Sequence, residues 1–136
     1  YLDTWGIRGT ELGQLSAPTG LKFDNAGNLW VVDRGNNRVQ KFTHDGEFLA
    51  MWGAVGYGPG QFQVPTSIAF DEAGNFYVSE VEASRVQIFS SSGTYLSELA
   101  PGFFGPHGLA FDSKGNLYVA DTGNNHVKKF RLVDPP

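Results

Sequence analysis

One order of residues occurs three times in this chain, so the fold must be one in which each copy does the same work. The first copy runs Pro18-Thr19-Gly20-Leu21-Lys22-Phe23-Asp24, then Gly27-Asn28-Leu29-Trp30-Val31-Val32-Asp33. The order returns from Pro65 to Asp71 with Gly74 to Glu80, and again from Pro106 to Asp112 with Gly115 to Asp121. Each copy continues into a third element: Arg38-Val39-Gln40-Lys41-Phe42, Arg85-Val86-Gln87-Ile88-Phe89 and His126-Val127-Lys128-Lys129-Phe130. The copies are offset by 47 residues (Pro18 to Pro65) and then by 41 (Pro65 to Pro106). A period of about 40–50 residues with four strands per unit predicts β-propeller blades.

Each element reads as a short strand for a physical reason. Leu21 and Phe23, like Ile68 and Phe70, alternate with polar or small neighbours, the period of a pleated strand. Asp24 to Asn28, Asp71 to Asn75 and Asp112 to Asn116 are turns, with Asp bonding the backbone ahead and Gly supplying positive φ. Arg34-Gly35-Asn36-Asn37 and Thr122-Gly123-Asn124-Asn125 form a second turn. The second copy has Val81-Glu82-Ala83-Ser84 there, without Gly, which predicts a distorted or more mobile turn. A third turn leads to a fourth strand, Phe48 to Trp52 and Tyr95 to Leu99. Tyr1 to Gly6 matches Phe48 to Gly53 at the same offset of 47, so it reads as a fourth strand without its own blade.

Composition removes several classes of function. Fourteen acidic against ten basic residues give a net charge of −4, which repels polyphosphate rather than attracting it. No cysteine is present, so there is no disulfide, thiol nucleophile or thiolate metal site. No apolar run approaches the roughly 18 residues of a membrane-spanning helix. The chain opens at Tyr1 with no leader pattern, which leaves its localisation unread. That start and the near-uniform copies carry the expectation of an excised or engineered segment.

The order Pro-x-Gly-Leu-x-Phe-Asp, Gly-Asn-Leu-Tyr-Val-Ala-Asp, Gly-Asn-Asn-x-Val-x-Lys-Phe resembles the NHL repeat of six-bladed propellers. The segment Trp52-Gly53 to Gly60-Gln61-Phe62 is similar to that family's inter-blade loop and is echoed by Trp5-Gly6 to Gly13-Gln14-Leu15. The loop into the third copy, Ala100 to Gly105, is shorter and lacks the pattern. The resemblance implies a closed ring and a surface for protein, RNA or small ligands, with a few related propellers acting as metal-dependent lyases or lactonases. Fold alone does not choose among these.

Candidate chemistry is sparse. The resemblance places His107 just after the proline that opens the innermost strand, facing the central channel. Pro106-His107-x-Leu109-Ala110 also resembles a segment bearing one zinc-ligand histidine in peptidyl-amidating lyases. Thr19 and Thr66 hold the matching positions, and a zinc site needs three or four protein ligands, so one imidazole predicts none. Asp33, Glu80 and Asp121 recur at one position; as a set they suggest a calcium ring or an acid–base pair. Repetition in every copy favours capping of local backbone N–H groups instead. His44 reads as a solvated turn residue, and His126, standing where the other copies have Arg38 and Arg85, as a strand-edge residue. Arg34, Arg38 and Arg85 near Trp30 or Tyr77 form a conceivable RNA-stacking set, which the acidic balance disfavours. No nucleophile triad or nucleotide-binding fingerprint is present.

The expectation is therefore an all-β chain of three four-stranded antiparallel propeller blades: 18–53, 65–100 and 106–133, the last without its outer strand, with 1–6 as an outer strand for another blade. Its predicted role is a non-enzymatic scaffold without cofactor or metal that binds a protein or small ligand at the channel mouth, around Thr19, Thr66, His107 and Arg34. A metal-dependent lyase or lactonase fragment and an RNA-binding domain are the alternatives. Three blades leave two open flanks, which predicts a homodimer closing a six-bladed ring by strand exchange through Tyr1, Leu2, Trp5, Val127 and Phe130. Neither nucleic acid nor membrane is an expected partner.

Overall fold

The computed structural model describes residues 1–132, and every element in them is a strand or a short turn. A two-residue parallel pair, β1 (Ile7–Arg8) with β2 (Gln14–Leu15), precedes the first sheet. That sheet runs β3 (Pro18–Phe23), β4 (Leu29–Asp33), β5 (Arg38–Phe42) and β6 (Phe48–Trp52) in spatial order. The second repeats it with β7 (Pro65–Phe70), β8 (Phe76–Glu80), β9 (Arg85–Phe89) and β10 (Tyr95–Leu99). The third has β11 (Pro106–Phe111), β12 (Asn116–Asp121) and β13 (His126–Arg131), three strands among the described residues. Predicted positions 133 onward lie outside those residues.

All pairing within the three sheets is antiparallel and between sequence neighbours, the meander that short turns permit. Asp24 shows how the first turn closes: its Oδ1 accepts the N–H groups of Ala26 and Asn28, and its Oδ2 accepts Trp30 Nε1–H at 2.8 Å. Asp112 does the same with Lys114, Asn116 and Tyr118. The turn at Val81–Ser84 departs from the other two, as its lack of glycine predicts: it forms no 3₁₀ helix, and the Ser84 hydroxyl donates to the Val81 carbonyl where Asn37 and Asn125 donate their backbone N–H. Ser84 still takes the left-handed conformation (φ 51°) of Asn37 (φ 51°) and Asn125 (φ 57°), so the backbone keeps its course. The strain of about 1–2 kcal/mol for a non-glycine residue there is accepted.

Apolar faces bury where one sheet meets the next. Trp30, Val32 and Val39 of the first sheet pack on Ile68, Phe76, Val78 and Phe89 of the second, with Phe62 sealing the edge. Tyr77, Val86 and Ile88 of the second pack on Leu117 and Val119 of the third. Trp30 stacks on Trp52 at 4.6 Å and meets Phe70 edge-on at 5.2 Å; Tyr77 meets Phe111 edge-on at 5.0 Å. Face-to-face stacking of twisted four-stranded sheets is how propeller blades bury their surface.

Within the single chain Tyr1–Gly6 pairs with no strand among the described residues. Its end is nonetheless placed. The Trp5 ring packs 5.1 Å from Phe42 and covers Gly46, as Trp52 covers Gly93 one repeat later. Any Cβ at either glycine would run into the indole, and both glycines sit at positive φ (92° and 91°).

Candidate functional site

The innermost strands β3, β7 and β11 lie side by side and carry the predicted channel residues. In all three the ladder slips just after the opening proline, a bulge that leaves Thr19, Thr66 and His107 out of register. Bulges re-aim a side chain, and here one falls at the same place in each sheet. Thr19 Oγ1 donates to the Thr66 carbonyl at 2.9 Å, joining β3 to β7, and Ser79 Oγ of β8 donates to the His107 carbonyl of β11. Thr19 is exposed, Thr66, His107 and Arg34 half-buried; Arg34 opens the 3₁₀ turn beside Thr19's strand. The bulge was not legible in the sequence, where the x of Pro-x-Gly looks like an ordinary strand position.

Below that mouth the recurring acids form buried clamps. Asp33 is fully buried; its Oδ1 accepts Ser16 N–H, and its Oδ2 accepts Arg38 Nε–H at 2.7 Å, Asn36 and Gln40. The Arg38 guanidinium spends its other donors on the carbonyls of Thr10, Glu11 and Gln14. Glu80 and Arg85 repeat this on Gln63 N–H and on the carbonyls of Tyr57, Gly58 and Gln61. Burial works against the Arg85 charge, but the bonds and charges of Glu80 and Glu98 outweigh it and raise its pKa. The local capping expected of these acids does not form: neither Asp33 nor Asp121 caps the turn that follows it, and the acids instead accept N–H groups 17 residues earlier, at Ser16, Gln63 and Phe104, while the ion pair beneath was missed. The signal was the fixed spacing of acid, Arg and Gln in two copies.

In the third sheet the clamp is remade. His126 Nε2 lies 3.2 Å and Lys128 Nζ 3.7 Å from Asp121, Asn124 donates to it, and Lys128 reaches the Gly102 carbonyl of the shorter loop. Burial pushes the Asp121 carboxyl up, but the Asn124 and Phe104 bonds and the Lys128 and His126 charges pull it below the usual carboxylate range.

Arg38 and Arg85 are thus buried, and Trp30 and Tyr77 are pressed between sheets, so none of them can stack an RNA base. A short single-stranded RNA is expected to show no mobility shift with the protein at moderate salt. Sub-micromolar, sequence-dependent binding would contradict this. Among the described residues no group of three or more His, Asp or Glu is placed to hold a metal ion.

An open cavity of about 630 Å³ lies at the opposite end of the inner strands, lined by Phe23, Phe70 and Phe111 with Lys22, Asp71, Glu72 and Asp112 on its rim. Hydrogen bonds from the Asn116 side chain and N–H hold the Asp112 carboxyl down to about 2, so the rim stays charged. In the sequence Phe23 and Phe70 read as strand residues and Asp71 and Asp112 as turn residues, and the concavity they share was missed, though the three matched phenylalanines mark it.

Sheets of this order and stacking make a propeller-type repeat protein. The NHL repeat matches residues 15–42, 62–89 and 103–130, and the chain belongs to that family. It is 45% identical over 47 residues to Protein lin-41 of Caenorhabditis elegans, and 40% over 53 residues to human NHL repeat-containing protein 3. Those stretches cover 35% and 37% of this chain but only 4% and 15% of the relatives, so it spans a small part of their length. A streptogramin B lyase structure superposes with TM-score 0.68 at 16% identity, over 98% of this chain and 45% of that one. A putative gluconolactonase does so with TM-score 0.70 at 20% identity, over 86% and 46%. At such identities the likeness is one of fold.

Proposed function

We propose that this chain is a non-enzymatic binding scaffold that completes a six-bladed ring with a second copy of itself and offers the mouth around Thr19, Thr66, His107 and Arg34 to a protein or small ligand. The observation that carries the assembly is the placement of Trp5, which covers Gly46 as the end of one blade's outer strand, Trp52, covers the next blade's Gly93. That match supports reading Tyr1–Trp5 as the outer strand of a preceding blade. The register of β5 with β6 carried over to β13 sets Phe130 opposite Tyr1, Lys129 opposite Asp3 and Val127 opposite Trp5 of the partner, so one cross-strand pair joins opposite charges. Tyr1 and Leu2 stand wholly exposed in the single chain, while Phe130 already packs on Phe103 and contributes its backbone edge.

The open flanks match as well. Val39 and Val86 are fully buried by the next sheet, but their counterpart Val127 is 65% exposed. Ile68 is 3% exposed, its counterpart Leu21 64%. Two copies related by a two-fold axis bury both flanks at two identical seams. Light scattering on this chain is expected to give twice the 14.8 kDa chain mass. A well-folded monomer would sink the assembly.

The second reading, part of a metal-dependent lyase or lactonase, draws on the fold likeness and His107. Elemental analysis after dialysis is expected to find no stoichiometric zinc, since one imidazole per chain falls short of the ligands a zinc ion needs. One zinc per pair, lost in His107→Ala, would favour the enzyme.

A further inference from the structure

We propose that Asn125 is a polar latch for a second copy of this chain, its side-chain oxygen accepting the N–H of Ala17 of the partner subunit; this rests on the ring assembly above. Within the chain the same contact is already made at both junctions. Asn37 Oδ1 accepts Val64 N–H at 2.9 Å between the first and second sheets, and Ser84 Oγ accepts Gly105 N–H at 3.2 Å between the second and third. Asn37, Ser84 and Asn125 are matched residues, all left-handed (φ 51°, 51° and 57°). Ala17, Val64 and Gly105 are the matched residues before each opening proline, and they too share positive φ (47°, 55° and 61°).

Donor and acceptor are therefore already shaped for a junction that one chain cannot make. The Asn125 side chain is exposed, and neither it nor the Ala17 N–H finds a partner among the described residues, unlike their counterparts. Ala17 holds a strained conformation that costs about 1–2 kcal/mol outside glycine. The latch lies at the rim of the seam whose apolar centre pairs the partner's Phe23 with Tyr118, by analogy with Phe70 on Trp30 and Phe111 on Tyr77. A directional bond beside an apolar contact fixes register, because a slipped or inverted docking leaves the amide unmet.

The test uses the full chain and measures dimer dissociation by dilution together with hydrogen exchange at Ala17. Asn125→Gly keeps the left-handed backbone while deleting the acceptor. It is expected to weaken the dimer roughly tenfold or more over two seams. The Ala17 amide, protected in the wild-type dimer, should then exchange freely. Asn125→Asp retains an acceptor and should keep both dimer and protection. Asn37→Gly, which cuts the matching bond inside the chain, should lower stability and leave Ala17 protected in the dimer. A dimeric wild-type protein whose Ala17 amide is unprotected, or whose affinity ignores Asn125→Gly, overturns the latch alone. A monomeric wild-type protein removes the latch and the assembly together.

Discussion

Arg85→Met is expected to cost about 3–5 kcal/mol of folding stability, because it strands the fully buried Glu80 carboxylate without its cation. It also frees three loop carbonyls, those of Tyr57, Gly58 and Gln61, which the guanidinium now satisfies. Denaturant unfolding at fixed protein concentration reads the loss, and Arg85→Met with Glu80→Met should recover part of it by removing the orphaned charge. His126→Met supplies the contrast. The imidazole is half exposed, and Asn124 and Lys128 also hold Asp121, so about 1 kcal/mol or less is expected. Equal losses at Arg85 and His126 would refute the view that the third clamp is a looser version of the first two.

Removing residues 1–6 is expected to have the largest effect on assembly. On the ring reading it deletes the fourth strand of two blades at once and bares the β13 backbone, an edge prone to pairing with any other strand. Size-exclusion chromatography should show aggregation or loss of the dimer. The contact of the half-buried Trp5 ring with Phe42 goes too, which lowers the stability of the first sheet as well. A stable, well-folded product after the deletion would mean that Tyr1–Trp5 completes no blade.

How far the sequence could be read depended on whether a residue's environment recurs with its repeat. The Asp24, Asp71 and Asp112 turns and the strands they join were legible because their chemistry is local, closed within a few residues of each acid. The Asp33–Arg38 and Glu80–Arg85 pairs were half legible. Acid and arginine recur five residues apart, but the N–H each acid accepts lies 17 residues earlier and the carbonyls each arginine grips 24 to 28 earlier, beyond any local pattern. Tyr1–Gly6 was read as a strand from its match to Phe48–Gly53, yet a strand needs a neighbour, and a repeat motif carries no information on which chain supplies it. The bulges at Thr19, Thr66 and His107 are a property of the twisted ladder and leave no residue signature.

The arginine clamp has a consequence for how such a surface can change over generations. Arg38 grips its loop from beneath by main-chain carbonyls alone, and Arg85 does likewise, so the course of each loop is indifferent to most side chains along it. Ile7, Leu12, Val55 and Tyr57 all point into solvent from those loops. Substitutions there meet almost no folding constraint, since surface positions of this kind shift stability by about 0.5 kcal/mol or less. The framework thus separates what must stay fixed from what is free to diversify, and these four positions can change without first acquiring compensating mutations in the core.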